Sequence, residues 1–518
     1  VDERVSAALR LLPGYLGQHV ILSASALALG VLISLPLAVL AARSPRVRWP
    51  VLAGASLIQT IPGLALLALF YPLLLAVSSL TRPAFGVSVP ALGFLPTLLA
   101  LTLYSLLPVL RNATAGLMGV DAAILEAADG VGMTRAQRLW RVEAPLALPV
   151  VMAGVRTAAV WTIGAATLST PVGQTSLGNY IFAGLQTENW VYVLFGCGAA
   201  AVLAIAADQL LGLIEAGAAR RDRRRILIGA AGLALGVAAA LAPLARAAPE
   251  RAYVVGAKNF SEQFILASMI GDRLRAEGQA VRRKDGLGSA VIFRALAAGD
   301  IDVYVDYSGT LWANVLGRRD RPPRAAMLAA LKTELKRRYG VTLLGPLGFE
   351  NAYALAMKHG KARALGVASL SDLAAQAPRL TLGADLEFLS RPEWAAIRDA
   401  YGLRFRAETS FNPTFMYRAL ESGQADVISA FSSDGRISAD RLSVLSDPKG
   451  AIPAYDAVVL LSPRRAHDAA LRRALAPLIG RIPVERMREA NLMVDRDQDK
   501  ATPAEAARWL SKAVGLSG

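Results

Sequence analysis

Cysteine occurs once in 518 residues, at Cys197, so no intrachain disulfide is available and each folded part must be held by its own core. Histidine is almost as scarce, and His19, His359 and His467 are too scattered to form a metal or nucleophile constellation. A phosphate-cradling Gly-x4-Gly-Lys-Ser/Thr loop is missing too: Gly360-Lys361 runs into Ala362 and lacks the upstream glycine. The chain is therefore not expected to be an enzyme, to carry a metal or cofactor, or to hydrolyse ATP. What is abundant is apolar. Hydrophobic residues make up 54% and the mean hydropathy is +0.41, too high for a soluble protein of this length, which has room for two or three domains.

Apolar segments at about His19–Ala42, Trp49–Val77, Pro90–Leu110, Leu146–Leu168, Trp190–Ile214 and Ile226–Leu244 are each long enough to cross a hydrocarbon layer about 30 Å thick. Arg43, Arg46 and Arg48 follow the first, Arg111, Arg135, Arg138 and Arg141 follow the third, and Arg220, Arg221, Arg223, Arg224 and Arg225 precede the sixth. The positive-inside rule places these three loops in the cytoplasm, so both termini and everything after Leu244 face outward. The net charge of +16 partly reflects these topogenic arginines, and nucleic acid is not expected as a partner. Leu22–Leu40 is too long for a secretory signal and reads as a membrane helix. The sixth segment, ending in Ala245-Arg246-Ala247-Ala248, resembles a signal peptide fused into the chain and is read as an uncleaved tether, although its small-residue end is also compatible with cleavage.

Between the third and fourth segments lies Glu126-Ala127-Ala128, followed by Gly132, Val142 and Pro145. Ala122–Ala128 favours helix, Gly130 and Gly132 end it, and Arg135, Arg138 and Arg141 recur at helical spacing. Two short helices about a glycine corner make a knob suited to a groove on a partner, because a corner without side chains permits close approach. The alternative is an ordinary basic loop. The pattern resembles the cytoplasmic loop of bacterial ABC importer permeases, with Val142 and Ala144 in place of the usual Ile and Leu. The resemblance implies a type I importer permease, an all-α domain of six transmembrane helices at 1–246, whose loop at 112–145 couples to a separate cytoplasmic ATPase that holds the ATP and Mg. With six spans per chain, two copies are expected to form the pathway.

After a linker at 247–251 the pattern changes. Ala252–Ala257, Ala280–Arg283 and Ile301–Asp306 read as strands, with helices at Ser261–Ala276 and Ser289–Ala298 between them, and further strands follow near Leu380–Ala384, Asp426–Phe431 and Ala457–Leu461. This alternation predicts an α/β domain at 252–518 with parallel sheets covered on both faces, in two lobes. Asn351–Met357 and Tyr455–Leu461 are extended, apolar and far apart, as expected of a hinge between lobes that close on a small molecule; two ordinary sheet strands are the alternative.

Lys258-Asn259-Phe260-Ser261-Glu262-Gln263, Asp306-Tyr307-Ser308-Gly309-Thr310, Phe349-Glu350-Asn351-Ala352-Tyr353, Phe388-Leu389-Ser390-Arg391-Pro392 and Ser429–Arg436 resemble the quaternary-amine substrate-binding proteins of osmoprotectant uptake, which serve glycine betaine, choline and carnitine. With the permease pattern, the resemblance covers over nine-tenths of the chain, in the order of fused permease and binding-protein polypeptides. It implies a two-lobed periplasmic-binding-protein fold outside the bacterial cytoplasmic (inner) membrane. A trimethylammonium group donates no hydrogen bond, so its pocket surrounds it with ring faces. By resemblance the cage falls on Tyr307, Tyr353, Phe431 and Tyr455, Phe431 replacing a frequent tyrosine. Lys258, Thr310 and Arg391 match positions that take a carboxylate, Arg391 being suited to a bidentate pair, and this favours a zwitterion over choline. Packing between lobes is the plainer explanation for the rings, and pairing with Glu387 or Glu393 for Arg391. Asp434 and Arg436 are read as bracing the hinge. Ergothioneine, a betaine of a thiolated histidine, is the alternative cargo for the same architecture, and nothing in the sequence excludes it. A ligand sensor is the remaining alternative, but it needs a cytoplasmic output domain and the loops are short.

Overall fold

Small residues and apolar runs dominate the first 246 positions, and they fold as helix. The computed structural model describes residues 3–85, 89–187, 189–246, 252–318, 320–411, 413–496 and 498–516; the expected linker at 247–251, with its candidate cleavage point, lies outside them. The chain divides into two compact units, Val1–Phe182 with Val191–Ala248, and Ala183–Trp190 with Pro249–Gly518.

In the first unit, α1 (Glu3–Arg43), α4 (Phe94–Met118), α7 (Ala144–Ala166), α9 (Trp190–Arg220) and α10 (Arg223–Arg246) are long and apolar enough to span a membrane singly. α4 is the most buried of them, and its Ala100, Ala113 and Leu110 pack in clusters with Ala38, Ala55, Leu66 and Leu67. The expected span Trp49–Val77 is not one straight helix. It is α2 (Pro45–Thr60) and α3 (Gly63–Phe85), bent by 102°. Pro62 has no N–H to continue the ladder, and the Ile61 carbonyl released at the break accepts the Tyr104 hydroxyl.

Whether the bent pair crosses follows from an ion pair. Arg43, at the end of α1, bonds Glu143, just before α7, so those two ends share one membrane level. α4 runs into the loop that leads to Glu143 and ends at that level too. It therefore starts on the other side, and only a crossing by α2–α3 delivers the chain there, giving six spans.

The loop after α4 forms α5 (Ala122–Gly130), capped by Asp121, then turns at Gly132 with φ of +76°. A capping box of Thr134 and Gln137 starts α6 (Arg135–Arg138). The second helix of the expected pair is not separate: α6 passes through a π turn at Leu139–Glu143 directly into α7. Pro145 cannot donate to the turn before it, and a π turn absorbs that missing bond. α8 (Gly178–Gln186) precedes α9.

The second unit carries two sheets, the cores of two lobes. Sheet one has the order β2-β1-β3-β10-β4, from β1 (Tyr253–Lys258), β2 (Val281–Leu287), β3 (Val303–Tyr307), β4 (Thr342–Glu350) and β10 (Asp456–Leu461). Sheet two has the order β7-β6-β8-β5-β9, from β5 (Tyr353–Lys358), β6 (Thr381–Ala384), β7 (Ala407–Ser410), β8 (Val427–Phe431) and β9 (Leu442–Val444). The helices α11 (Ser261–Ala276) and α12 (Ser289–Ala298) have the expected bounds. The sheets are mixed rather than parallel: β10 runs antiparallel to β3 and β4, and β5 antiparallel to β8 and β9. The cause is the crossing. β5 and β10 are the strands by which the chain enters lobe two and returns to lobe one, so each arrives from the neighbouring lobe rather than from a βαβ connection. The two crossings are bonded to each other, Asn351 N–H donating to the Tyr455 carbonyl at 2.9 Å, as expected of a double-stranded hinge.

Candidate functional site

Strand ends converge beside the hinge and supply most of the site. Lys258 and Tyr307 close β1 and β3, Thr310 follows β3, and Tyr455 precedes β10, all in lobe one. Tyr353 opens β5, Phe431 closes β8, and Arg391 joins the helices Leu386–Ser390 and Pro392–Tyr401, all in lobe two. All are buried except Phe431, which is partly buried.

Three of the four expected rings form one cluster. The Tyr353 centroid lies 5.0 Å from Phe431 and 5.7 Å from Tyr455, the latter edge to face. The Arg391 guanidinium stands 5.2 Å over the Tyr353 face and its Nη1 lies 3.5 Å from the Thr310 hydroxyl. Arg391 also faces Glu393 at 3.6 Å, the pairing weighed from sequence, and the other oxygen of that carboxyl side accepts nothing among the described residues, while Oε1 takes the Tyr455 hydroxyl. Burial beside Glu393 pushes the Tyr455 phenol well above its usual range. The approach of Tyr455 requires Gly309, since a Cβ there would meet the ring at 2.6 Å.

Tyr307 stands apart from that cluster but is linked to it. It stacks on Phe260 at 6.2 Å, and Phe260 lies parallel to Phe431 within 5° at the same distance. Phe260 thus completes a row from Tyr307 to Tyr455. Phe260 lies within the Lys258–Gln263 motif with no role expected of it; its place just before α11, two residues from Lys258, is the available signal. Lys258 is not brought to Arg391 and Thr310. Its ammonium is held by Asp306 and lies 5.2 Å over the Tyr307 ring.

Glu262 was also missed. Its carboxyl accepts Tyr307 Oη at 2.6 Å and Asn351 Nδ2 at 3.0 Å on one oxygen, and Ser433 Oγ at 2.6 Å and Asn491 Nδ2 at 3.0 Å on the other, so it ties both lobes and the hinge together. Burial raises its pKa against these bonds and raises that of Tyr307 well above the ordinary range. Beside it opens a cavity lined by Phe260, Phe431, Asn351, Asn491, Arg436 and Asp495 among others. The amide oxygens of Asn351 and Asn491 are buried and have no hydrogen-bond partner among the described residues. Asp495 is pushed up to about 7, mainly by burial, and accepts the Ser261 hydroxyl at 2.5 Å. Arg436 donates to the Asp495 carbonyl at 3.3 Å and lies over the Tyr417 ring, a bracing position.

In the first unit, Glu126, Ala127, Gly132 and Pro145 are exposed, and Ala128 is buried under the corner.

Residues 251–512 match the family of the substrate binding domain of ABC-type glycine betaine transport systems, and residues 34–220 match the binding-protein-dependent transport system inner membrane component. The chain belongs to the glycine betaine-type substrate-binding family, fused to an importer permease. It is 29% identical over 507 residues, 95% of its length and 87% of the relative's, to an ergothioneine transport permease/ergothioneine binding protein of Helicobacter pylori (strain G27). A choline transport system permease protein of Bacillus subtilis (strain 168) is 39% identical over 198 residues, 38% of this chain and 84% of that protein. Among solved structures, one of a glycine betaine/carnitine/choline ABC transporter is 25% identical, covers 51% of this chain and 99% of its own, and has a TM-score of 0.45. The chain is thus an importer component of the inner membrane with several spans and an extracytoplasmic binding domain, working with an ABC ATPase and a small ligand.

Proposed function

We propose that the second unit captures a zwitterionic quaternary amine, glycine betaine or carnitine in type, and that the first unit forms its path through the membrane as a homodimer driven by a separate ATPase that carries the ATP and Mg; nucleic acid has no part in it. The observation that carries this reading is the Arg391 guanidinium over Tyr353 inside the Tyr353–Phe431–Tyr455 cluster. Those ring faces suit a cation of low hydration, and the guanidinium with the Thr310 hydroxyl suits the carboxylate at the other end. Arg391 and Glu393 balance each other in charge, and a zwitterion leaves that balance unchanged. Tyr307 belongs to the outer end of the ring row, and Lys258, already neutralised by Asp306, supports the row from behind. Glu126, Ala127, Ala128, Gly132 and Pro145 form the docking knob for the ATPase.

Ergothioneine is the second reading. A relative named for it matches along 95% of this chain, and the unmatched oxygens of Asn351 and Asn491 suit a cargo with ring N–H donors, which glycine betaine lacks. Calorimetry on the purified chain against glycine betaine, carnitine, choline, proline and ergothioneine decides between them. Failure of every trimethylammonium compound to bind overturns the ring assignment.

A further inference from the structure

A push on α5 has to pass the Gly130–Gly132 corner, where Gly132 takes φ of +76°, before it reaches any span. A line of four charges bridges that corner. Asp129, in α5, takes Arg138 Nη1 at 2.6 Å; Arg138 Nε reaches Glu143 Oε1 at 2.9 Å; and Glu143 takes Arg43 Nη2 at 2.9 and 2.8 Å on its two oxygens. The four residues belong to α5, α6, the π turn entering α7, and the end of α1. Glu143 is 3% exposed, whereas the other three reach solvent to different degrees. A carboxylate at that depth is stable only while its cations are in place.

We propose that Glu143 is the positioning residue of energy coupling: it locks the docking loop to α1 and α7 together, so that a displacement of α5 moves two spans instead of being absorbed at the glycine corner. Asp129 and Arg138 form the strut across the corner, and Arg43 is the point where the strut is anchored to a second span. Both cations on Glu143 are arginines, whose planar donors resist rotation about the contact. The proposal rests on the reading of this loop as the ATPase docking site.

The test uses the full chain with its ATPase in proteoliposomes. Three quantities are measured for the wild type, Glu143→Gln, Glu143→Asp, Arg43→Met and the Arg43→Met/Glu143→Gln pair: retention of the ATPase on purification, ATP hydrolysis, and uptake of radiolabelled glycine betaine. The expected result for Glu143→Gln is full retention, hydrolysis within twofold of wild type and uptake reduced at least tenfold. Glu143→Asp should recover part of the uptake, and the paired substitution should cost little more than either alone. Unchanged uptake, or additive losses in the pair, overturns the proposal. Loss of the ATPase from the Glu143→Gln complex also overturns it, because Glu143 then acts in docking or folding. If the wild-type complex retains its ATPase but does not move glycine betaine, the cargo reading fails alone, and the comparison is made with the compound that calorimetry identifies. If the wild-type chain never retains an ATPase, the docking reading fails and takes the proposal with it.

Discussion

Tyr353 touches Phe431, Tyr455 and the Arg391 guanidinium at once, so its side chain is where the two ends of a zwitterion would meet. Tyr353→Ala or Tyr455→Ala is expected to weaken cargo binding at least tenfold, about 1.4 kcal/mol, measured by calorimetry. Arg391→Gln is expected to weaken betaine and carnitine but to spare choline, because only the carboxylate needs the guanidinium; equal losses for all three would count against the assignment. Asp495 carries a pH signature. Its carboxyl is raised from 3.8 to about 7 in the folded protein, so between those values the native state binds more protons than the unfolded chain, and stability falls as pH rises through that window. Arg436 and Lys500 oppose the shift and Asp434 adds to it. Asp495→Asn should flatten the fall in melting temperature of the binding domain between pH 5 and 8; an unchanged slope would assign it elsewhere. These residues were unequally legible. The four rings and Arg391 stand in motifs whose resemblance implies a cation cage for the rings and a carboxylate contact for Arg391, whereas Glu262 gains its importance only when residues 262, 307, 351, 433 and 491 meet, which no spacing announces.

Elements were read best where local signals agreed. α11 and α12 were bounded correctly because apolar periodicity and the residues at their ends coincide, α12 stopping at Gly299 with φ of +87°. Strand direction was not readable, since β5 and β10 carry the same apolar character in either sense and only the crossing between lobes reverses them. Hydropathy likewise marked α2 and α3 as one span without showing the bend between them, because Pro62 in an apolar run changes direction without changing composition. Gly132 holds φ of +76°, a conformation a Cβ disfavours by roughly 1 kcal/mol or more. Gly132→Ala should therefore lower ATPase retention and uptake while leaving cargo affinity at the outer domain intact, and a parallel loss of affinity would show that the substitution had disturbed more than the loop.

For the molecule as a whole, the proposed uncleaved tether between permease and binding domain would set how the cargo is delivered. A domain held by a short linker meets its permease at an effective concentration near the millimolar range, so their docking need not be tight. Severing the chain near Ala248 is expected to lower uptake unless free binding domain is added in large excess; transport that persists at equal stoichiometry would dismiss the tether. The strand order of sheet one has another outcome. β10 lies between β3 and β4, and β4 has no other neighbour in its sheet. Lobe two, by contrast, is continuous from Tyr353 to Val444. During export the later lobe in the sequence is complete before the earlier one, and lobe one stays open until Leu461 has emerged. A chain that stalls just short of Asp456 leaves the β10-facing edges of β3 and β4 unpaired, a state open to aggregation and proteolysis until β10 fills the gap.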